Sequence, residues 1–384
     1  MQQAKELHAT TAMATKLKYS SEAQGLRDKK VKDLMVDNKR RLVEVPYTAS
    51  LAHTMNALVA NRVVAVPVAA PPGHWIGAGG SMILEADKQT GAVRKHYIGM
   101  VTMLDILAQI ADADDDDIKG GDGSDNNLDK KLSVEVSSII GHCFEGLSLW
   151  TLNPNTSILD CMEVFSKGIH RAMVPLDSQM NNVSGVELVE SASSYKMLTQ
   201  MDVLRFLKQH DMELKSITSK SIKELGAITD SVFAISDRTK VIDAIKSMRM
   251  GSLNAVPIVT ALDIPEEDHK QLMNGRGRKI IGTFSATDLR GCHLSALQTW
   301  LPLSALEFTE AISTSPLFAD HQSNAEPQKR ELVACGTEST LAQVIDKAVT
   351  NYVHRVWVVD SHGLLLGLVS LTDIIRVLRL SLLS

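Results

Sequence analysis

Four places in the sequence carry a serine or threonine that is followed three residues later by an aspartate. The four pairs are Thr102 with Asp105, Thr199 with Asp202, Ser285 with Asp288, and Ser370 with Asp373. Taken singly, each pair is typical of a helix N-cap, because hydroxyl and carboxylate together satisfy the unbonded N–H groups of the first turn. The same position offers a binding chemistry. A helix N-terminus that opens directly from a strand binds anions, and its carboxylate accepts hydrogen bonds from a ribose diol.

The four pairs end four segments of one layout: strand, polar cap, amphipathic helix, strand, third strand, helix. In the first segment residues 42–46 are the predicted strand, and Ser50 caps a helix that has Leu51, Met55 and Leu58 on one face. The two strands that follow are predicted at 65–68 and 97–102. Capping alone does not require this context to recur, so the fourfold recurrence favours a binding role.

The other three copies keep the same order of elements. Their central strands are predicted at 173–176, 255–258 and 356–359, and their strand-to-helix joins at 198–202, 282–288 and 367–373. The loops between the second and third strands differ from copy to copy, which places them at the surface. These loops cover residues 71–80, 178–194, 263–278 and 360–363. The Asp- and Gly-rich stretch 112–127 is interpreted as a solvated linker, with an acidic interaction tail as the alternative.

Composition excludes several classes of protein. The 384 residues are 44% hydrophobic and 22% charged, which is typical of a globular protein, and the net charge of −5 lacks the basic stripe of a nucleic-acid binder. The N-terminus has no unbroken apolar segment for a secretory signal, and no uncharged apolar run reaches the ~18 residues of a membrane helix. The four cysteines form no CxxC pair and are interpreted as reduced thiols. We therefore expect a location in the cytoplasm or nucleus.

The fourth copy carries the most specific resemblance to a known family. A Val-Trp-Val-Val strand at 356–359 is followed by Gly-Leu-Val-Ser-Leu-Thr-Asp at 367–373. This pattern resembles the cystathionine-β-synthase (CBS) repeat, whose copies pair into tandem modules and bind adenosine nucleotides in the clefts between them. Four such repeats without another domain resemble the γ subunit of AMP-activated protein kinase, and especially its plant relatives of the sucrose-non-fermenting-related kinase family. The resemblance covers roughly residues 30–384.

The resemblance implies an α/β (α+β) fold with four β-α-β-β-α CBS repeats. They would form two tandem CBS-pair modules, split near residue 211, in a pseudo-symmetric disc. The expected units are an N-terminal segment (1–29), repeat 1 (30–111), an acidic linker (112–130), repeat 2 (131–211), repeat 3 (212–293), a connecting segment (294–330) and repeat 4 (331–384).

The resemblance also implies roles for particular residues. In the fourth repeat His354 and Arg355 would contact phosphates, Ser370 and Thr372 would hold the ligand, and Asp373 would contact the ribose. In the other repeats the candidate nucleotide-binding residues are His170, Arg171, Thr199, Asp202, Thr102, Asp105, Ser285, Thr287 and Asp288. Arginine suits the phosphate role because its planar fork donates paired hydrogen bonds.

The His-Arg pair recurs in two of the four repeats. Its alignment in the second repeat requires Met173 to be the counterpart of Trp357, with one residue deleted from the preceding helix. The first and third repeats have Val64-Ala65 and Asn254-Ala255 at these positions. Arg62 lies one turn too early to replace the pair. We therefore expect strong phosphate coordination at two sites at most.

The leading functional hypothesis is a non-catalytic regulatory subunit of a kinase complex. It would sense AMP, ADP or ATP as regulatory ligands and would bind the kinase α (catalytic) and β subunits, without a catalytic cofactor, a metal site, nucleic acid or membrane insertion. The alternative is a CBS-repeat scaffold with degenerate nucleotide sites that regulates another partner. An enzyme fragment is the third hypothesis, and it is disfavoured because the repeats occupy nearly every residue.

Overall fold

The structure is a computed structural model. It describes residues 24–36, 38, 40–70, 96–117, 126–140, 149–176, 194–262, 267–293, 296–313 and 331–384. The predictions for the N-terminal segment before residue 24, for residues 118–125 of the acidic linker, for much of the variable loops and for the segment 314–330 fall on residues outside this set, as does Cys143. The described ends of the predicted linker, 112–117 and 126–130, are helical. The other three cysteines, Cys161, Cys292 and Cys335, are buried and unbonded. Burial raises the pKa of each of these thiols.

The first repeat is a three-stranded sheet with two helices, preceded by two short helical turns. In chain order its elements are α1 (Gln24–Arg27), α2 (Val31–Leu34), β1 (Val45–Pro46), α3 (Leu51–Ala60), β2 (Ala65–Ala69), β3 (Tyr97–Thr102) and α4 (Met103–Asp117). Strand β2 lies between β1, to which it is parallel, and β3, to which it is antiparallel. The predicted cap is confirmed, since the Ser50 hydroxyl accepts a hydrogen bond from the backbone N–H of His53 at 3.1 Å.

The second repeat has the same sheet order and adds a helix at its end. Its elements are α5 (Asn126–Leu132), a 3₁₀ turn (Val136–Ile139), β4 (Trp150–Thr151), α6 (Ile158–Ser166), β5 (Arg171–Pro175), β6 (Tyr195–Thr199), α7 (Gln200–Gln209) and α8 (Asp211–Thr218). Helix α6 presents Ile158, Met162 and Phe165 to the core, as its sequence periodicity predicts.

The third repeat departs from the predicted layout at its end. Its elements are β7 (Phe233–Ser236), α9 (Val241–Met250), β8 (Ala255–Val259), β9 (Met273–Asn274), β10 (Ile280–Ser285) and a 3₁₀ turn (Asp288–Gly291). The prediction of an α-helix after the third strand is wrong here, because only the 3₁₀ turn follows β10. Gly291 stands where the second and fourth repeats have Arg205 and Arg376, and glycine is a poor helix former.

The fourth repeat restores the full layout. The connecting segment holds α10 (Leu297–Trp300) and α11 (Ala305–Ser313), which pack in the core of the first and third repeats. The elements of the fourth repeat are β11 (Ala334–Cys335), α12 (Leu341–Thr350), β12 (Arg355–Val359), β13 (Leu365–Ser370) and α13 (Leu371–Leu383). Strand β12 is parallel to β11 and antiparallel to β13. The mixed α/β fold class with four similar units is confirmed. No helix of the described segments is both long and apolar enough to cross a membrane.

Each repeat is contacted by the chain segment that precedes its neighbour in sequence. Residues just before or at the start of each first helix form isolated β-bridges with that segment: Ser157 with Lys30, Ser50 with Glu135, Thr340 with Ser221, and Lys240 with Ser304. Sequence order assigns residues 30–36 to the first repeat and 131–140 to the second. Their contacts are exchanged, because Val31 packs in the core of the second repeat and Val136 in that of the first.

Helices form two large apolar cores between the repeats. Helix α4 packs on α9 and joins the first and third repeats, with Ile106 and Ile245 buried in their core. Helix α13 packs on α6 and joins the second and fourth repeats, with Ile374 and Phe165 in theirs.

Sheets make the remaining contacts through smaller apolar clusters. Tyr97 of the first repeat meets Tyr195 of the second edge-on, with ring centroids 5.5 Å apart. Ile280 of the third repeat packs in one cluster with Trp357 of the fourth, whose indole N–H donates to the Thr283 hydroxyl at 2.7 Å. Through these cores and clusters each repeat packs on two others, and the four close into a ring with clefts between them.

Candidate functional site

The hydroxyl–carboxylate pairs form helix caps in three repeats. Thr199 is typical: its N–H and hydroxyl donate to Asp202 Oδ2 at 3.0 and 2.7 Å, and its hydroxyl oxygen accepts from the Asp202 N–H at 3.2 Å. Thr102 makes the same three contacts with Asp105 at 2.8, 2.7 and 3.2 Å. Ser370 makes them with Asp373 at 3.0, 2.6 and 3.1 Å. The capping interpretation is confirmed for these three pairs.

The third pair is only partly a cap. Asp288 Oδ2 accepts from the Ser285 N–H at 2.8 Å. The Ser285 hydroxyl lies 2.9 Å from the Thr287 hydroxyl and donates to the Asn254 carbonyl at 3.3 Å. The hydroxyl is directed to these partners because no α-helix begins here.

Strand register settles the alignment of the His-Arg pairs. Arg171 lies opposite Thr199, and Arg355 lies opposite Ser370. The register therefore confirms Met173 as the counterpart of Trp357. By the same pairing Ala65 lies opposite Thr102 and Ala255 opposite Ser285, so the first and third repeats lack the basic pair.

A cavity of about 700 Å³ lies where the repeats meet, and we call it the central cleft. Thr199 and Asp202 line it, together with His170 of the second repeat and His354 of the fourth. Its described walls hold seven Lys and Arg residues against two acids, a formal excess of five positive charges. The cationic residues are Lys29, Arg40, Arg41, Arg62, Arg171, Arg205 and Arg290. A cleft of this charge attracts anions.

A second cavity of about 280 Å³ is lined by the cap of the first repeat, and we call it the first-repeat cleft. Thr102 and Asp105 line it beside Arg171, which also lines the central cleft. His170 likewise faces both cavities, and its Nδ1 lies 3.1 Å from the Asn254 side-chain nitrogen. The pair His170-Arg171 therefore lines two clefts.

A third cavity of about 90 Å³ lies between the third and fourth repeats, and we call it the third-repeat cleft. Ser285, Thr287, His354 and Arg355 line it. Two glutamates, Glu310 and Glu331, and the one arginine are the charged Lys, Arg, Asp and Glu residues of its described walls.

Arg355 is held inside the protein by its surroundings. Its guanidinium donates to the Ala255 carbonyl, while its buried Nε has no hydrogen-bond partner in the described part of the chain. Burial lowers the pKa of Arg355 to about 10, against the opposing effect of the nearby Asp373 carboxylate. The guanidinium thus stays charged at neutral pH.

Four of the sequence-predicted residues line none of these three clefts: Asp288, Ser370, Thr372 and Asp373. Thr372 forms a hydrogen bond between α13 and α7, in which its hydroxyl accepts from the Gln200 side-chain amide at 2.8 Å. Asp373 lies 3.2 Å from an Arg376 guanidinium nitrogen and 3.4 Å from the Thr229 hydroxyl. The structure brings the other ten candidates to cleft walls.

Sequence reasoning missed several residues of the central cleft. Arg62 was set aside as one turn too early, yet it lines the cavity. Arg205 lies one turn after Asp202 on α7, with its guanidinium 3.5 Å from that carboxylate. A signal was present, because residues one turn after a cap face the same side of the helix.

Comparison with known proteins places the chain in a family. Residues 328–380 match the CBS domain family. The chain is 64% identical over 352 residues to the SNF1-related protein kinase regulatory subunit gamma-like PV42a of Arabidopsis thaliana, covering 91% of this chain and 94% of that protein. It is 58% identical over 355 residues to PV42b of the same plant, covering 92% and 96%.

A solved structure shares the fold. The crystal structure of a Methanocaldococcus jannaschii protein, proposed as an archaeal homologue of the AMP-activated kinase γ subunit, aligns with a TM-score of 0.55. The alignment covers 91% of this chain and 99% of that protein, at 18% identity.

Proposed function

The chain belongs to the family of SNF1-related protein kinase gamma-like regulatory subunits, and from this premise we propose that it is a non-catalytic, nucleotide-sensing subunit of such a kinase. Its ligands are AMP, ADP and ATP, bound between CBS repeats. Its partners are the kinase α and β subunits, in the cytoplasm or nucleus.

The observation that carries the nucleotide proposal is the central cleft. Its excess of five positive charges surrounds Thr199 and Asp202. Guanidinium groups bind phosphate oxygens through paired, charge-assisted hydrogen bonds, while the carboxylate accepts from the ribose diol. The Thr199 N–H and hydroxyl both bond to Asp202 Oδ2, so the ribose would be bound by Oδ1, which also lies 3.5 Å from the Arg205 guanidinium.

Regulation follows from the location of the cleft between repeats. Arg62, Arg171, Arg290 and His354 come from four different repeats and line one cavity. A phosphate chain that contacts several of them favours the arrangement in which they converge. A kinase that binds this arrangement with a different affinity is thereby coupled to the nucleotide.

The test is isothermal titration of the full chain with AMP, ADP and ATP. The native protein binds them, and Arg171→Ala weakens binding by about thirtyfold because this arginine lines two clefts. The matched control is Arg276→Ala, which removes an exposed arginine paired with Asp230 outside the clefts. Absence of nucleotide heat in the native chain contradicts the proposal.

Kinase membership is tested separately by co-purification with α and β subunits from the native tissue. A native chain that binds nucleotide but recovers no kinase subunit contradicts this part alone.

A scaffold with degenerate sites is the second candidate function, and the fourth repeat favours it. Ser370, Thr372 and Asp373 bond to protein groups and line none of the three clefts. A chain that recovers kinase subunits equally well with and without nucleotide, and with Arg171→Ala, supports the scaffold.

A further inference from the structure

The second residue after the first helix of each repeat has a left-handed backbone. The four equivalent residues are Arg62 (φ 53°), Gly168 (φ 92°), Ser252 (φ 52°) and Tyr352 (φ 53°). Each lies three residues before the start of the central strand. The second repeat alone has glycine there, which is the residue that adopts this conformation without steric cost.

Hydrogen bonds fix this conformation. The N–H of Val63 donates to the Leu58 carbonyl at 3.0 Å, and Val353 donates to Ala348 at 3.1 Å. This six-to-one bond is that of a Schellman motif, whose left-handed residue is usually glycine. A bulky residue such as tyrosine is therefore retained at a conformational cost, and such strain concentrates at functional sites.

The side chains at two of these positions meet in the central cleft. Arg62 of the first repeat and Tyr352 of the fourth both line it. The Arg205 guanidinium, from the second repeat, lies over the Tyr352 ring at 4.8 Å from its centroid. Such a cation–π contact fixes a guanidinium while leaving donors on its edge. Ser252, by contrast, lines the first-repeat cleft.

We infer that Arg62 and Arg205, the latter positioned by Tyr352, bind the outer phosphates of a nucleoside di- or triphosphate and make the central cleft selective for them over monophosphates. This assignment rests on the proposed nucleotide function. The charges that support it are distinct from the His-Arg pairs. Both arginines share the cavity with Asp202, the proposed ribose contact, and its carboxylate lies 3.5 Å from the Arg205 guanidinium. A monophosphate has no outer phosphates to meet them.

Replacement by glycine distinguishes a binding role of Arg62 and Tyr352 from a packing role, because the two roles predict different melting temperatures. Replacing a left-handed residue by glycine removes the steric cost, so Arg62→Gly and Tyr352→Gly should melt at the native temperature or slightly above it. If the side chains were retained for packing, the same variants would melt lower. The melting temperature therefore tests whether the side chains are needed for packing, and the ligand affinity tests whether they bind the nucleotide.

The experiment is isothermal titration of full-length Arg62→Gly, Tyr352→Gly and Tyr352→Phe with ATP, ADP and AMP, alongside thermal melting. Arg62→Gly should weaken ATP binding about tenfold and AMP binding less than about twofold. Tyr352→Gly should weaken ATP binding about threefold, and Tyr352→Phe should restore it because the ring alone holds Arg205. Ser252→Gly relieves the same backbone strain and is the control for melting temperature. Arg276→Ala removes an exposed arginine outside the three clefts and should leave ATP affinity unchanged.

Three results would overturn the inference while nucleotide binding by the native chain stands: equal losses for AMP and ATP, a lowered melting temperature with unchanged affinity, or the same loss of ATP affinity in Arg276→Ala. A native chain that binds no nucleotide overturns the proposed function itself.

Discussion

The central cleft and the third-repeat cleft lie beside equivalent hydroxyl–aspartate motifs, yet the first is lined by both Thr199 and Asp202, and the second by Ser285 without Asp288. One is about 700 Å³ with a formal excess of five positive charges. The other is about 90 Å³ with a formal excess of one negative charge. The motif builds a cap in the second repeat and half of one in the third. Ligand chemistry is therefore set by the residues that neighbouring repeats contribute, and the motif alone does not predict it.

Removing the aspartate of each motif gives the largest expected contrast. Asp202→Ala should lower nucleotide affinity about fiftyfold, because a charge-assisted pair of hydrogen bonds to the ribose is lost. Asp288→Ala should leave that affinity unchanged, since Asp288 lies outside the cleft walls. Both variants lose a contact to a backbone N–H and should unfold about 1 kcal/mol more easily. Titration calorimetry and denaturant unfolding measure the two effects; equal affinity losses would contradict the contrast.

Replacing each of the two arginines that begin central strands should affect the free energy of unfolding and the nucleotide affinity to different degrees. Arg355→Met should lower the free energy of unfolding by about 2 kcal/mol, because the Ala255 carbonyl and the Asp373 carboxylate lose a buried partner. Arg171→Met, at the matching register position, should lose less stability and more nucleotide affinity. Urea unfolding of both variants checks the order, and a larger stability loss for Arg171→Met would refute it.

Salt should weaken binding in the central cleft according to ligand charge. Raising ionic strength from about 0.05 to 0.5 M should reduce ATP affinity about tenfold and AMP affinity less, because exposed charges are screened within a few ångströms. Titrations at several salt concentrations measure the slope. Equal slopes for ATP and AMP would show that the five-charge excess does not act on the outer phosphates.

Repetition explains why so much of the fold was predictable. Four copies of one periodic pattern identify helices and strands even where each copy is weak, and strand register confirms the alignment that places Arg171 opposite Thr199. The absence of an α-helix directly after β10 depends on Gly291 and on the local chain path. The pattern of the other three repeats predicts a helix there, and a single sequence does not show that these local features override it.

The site was less predictable because its walls come from distant parts of the chain. Arg62, Arg290 and His354 meet in one cavity through the packing of helices between alternate repeats, which no local pattern records. Thr372 was a candidate by motif, and its engagement by Gln200 depends on how α7 meets α13. The left-handed backbone at these positions could not be predicted from the sequence either, because Arg62 and Tyr352 stand where glycine is usual.

Substitution of Thr372 has the smallest expected effect on stability, and its effect on nucleotide affinity should differ from that of substituting Thr199. Thr372→Val should cost about 1 kcal/mol of unfolding free energy, because the Gln200 amide loses this acceptor but keeps its 3.0 Å bond to the Phe165 carbonyl. Nucleotide affinity should not change, since Thr372 lines none of the three clefts. Thr199→Val should instead reduce both stability and affinity, because Thr199 is both a cap and a wall of the central cleft. Denaturant unfolding with parallel ATP titration measures both quantities, and an affinity loss in Thr372→Val would show that the fourth repeat also binds ligand.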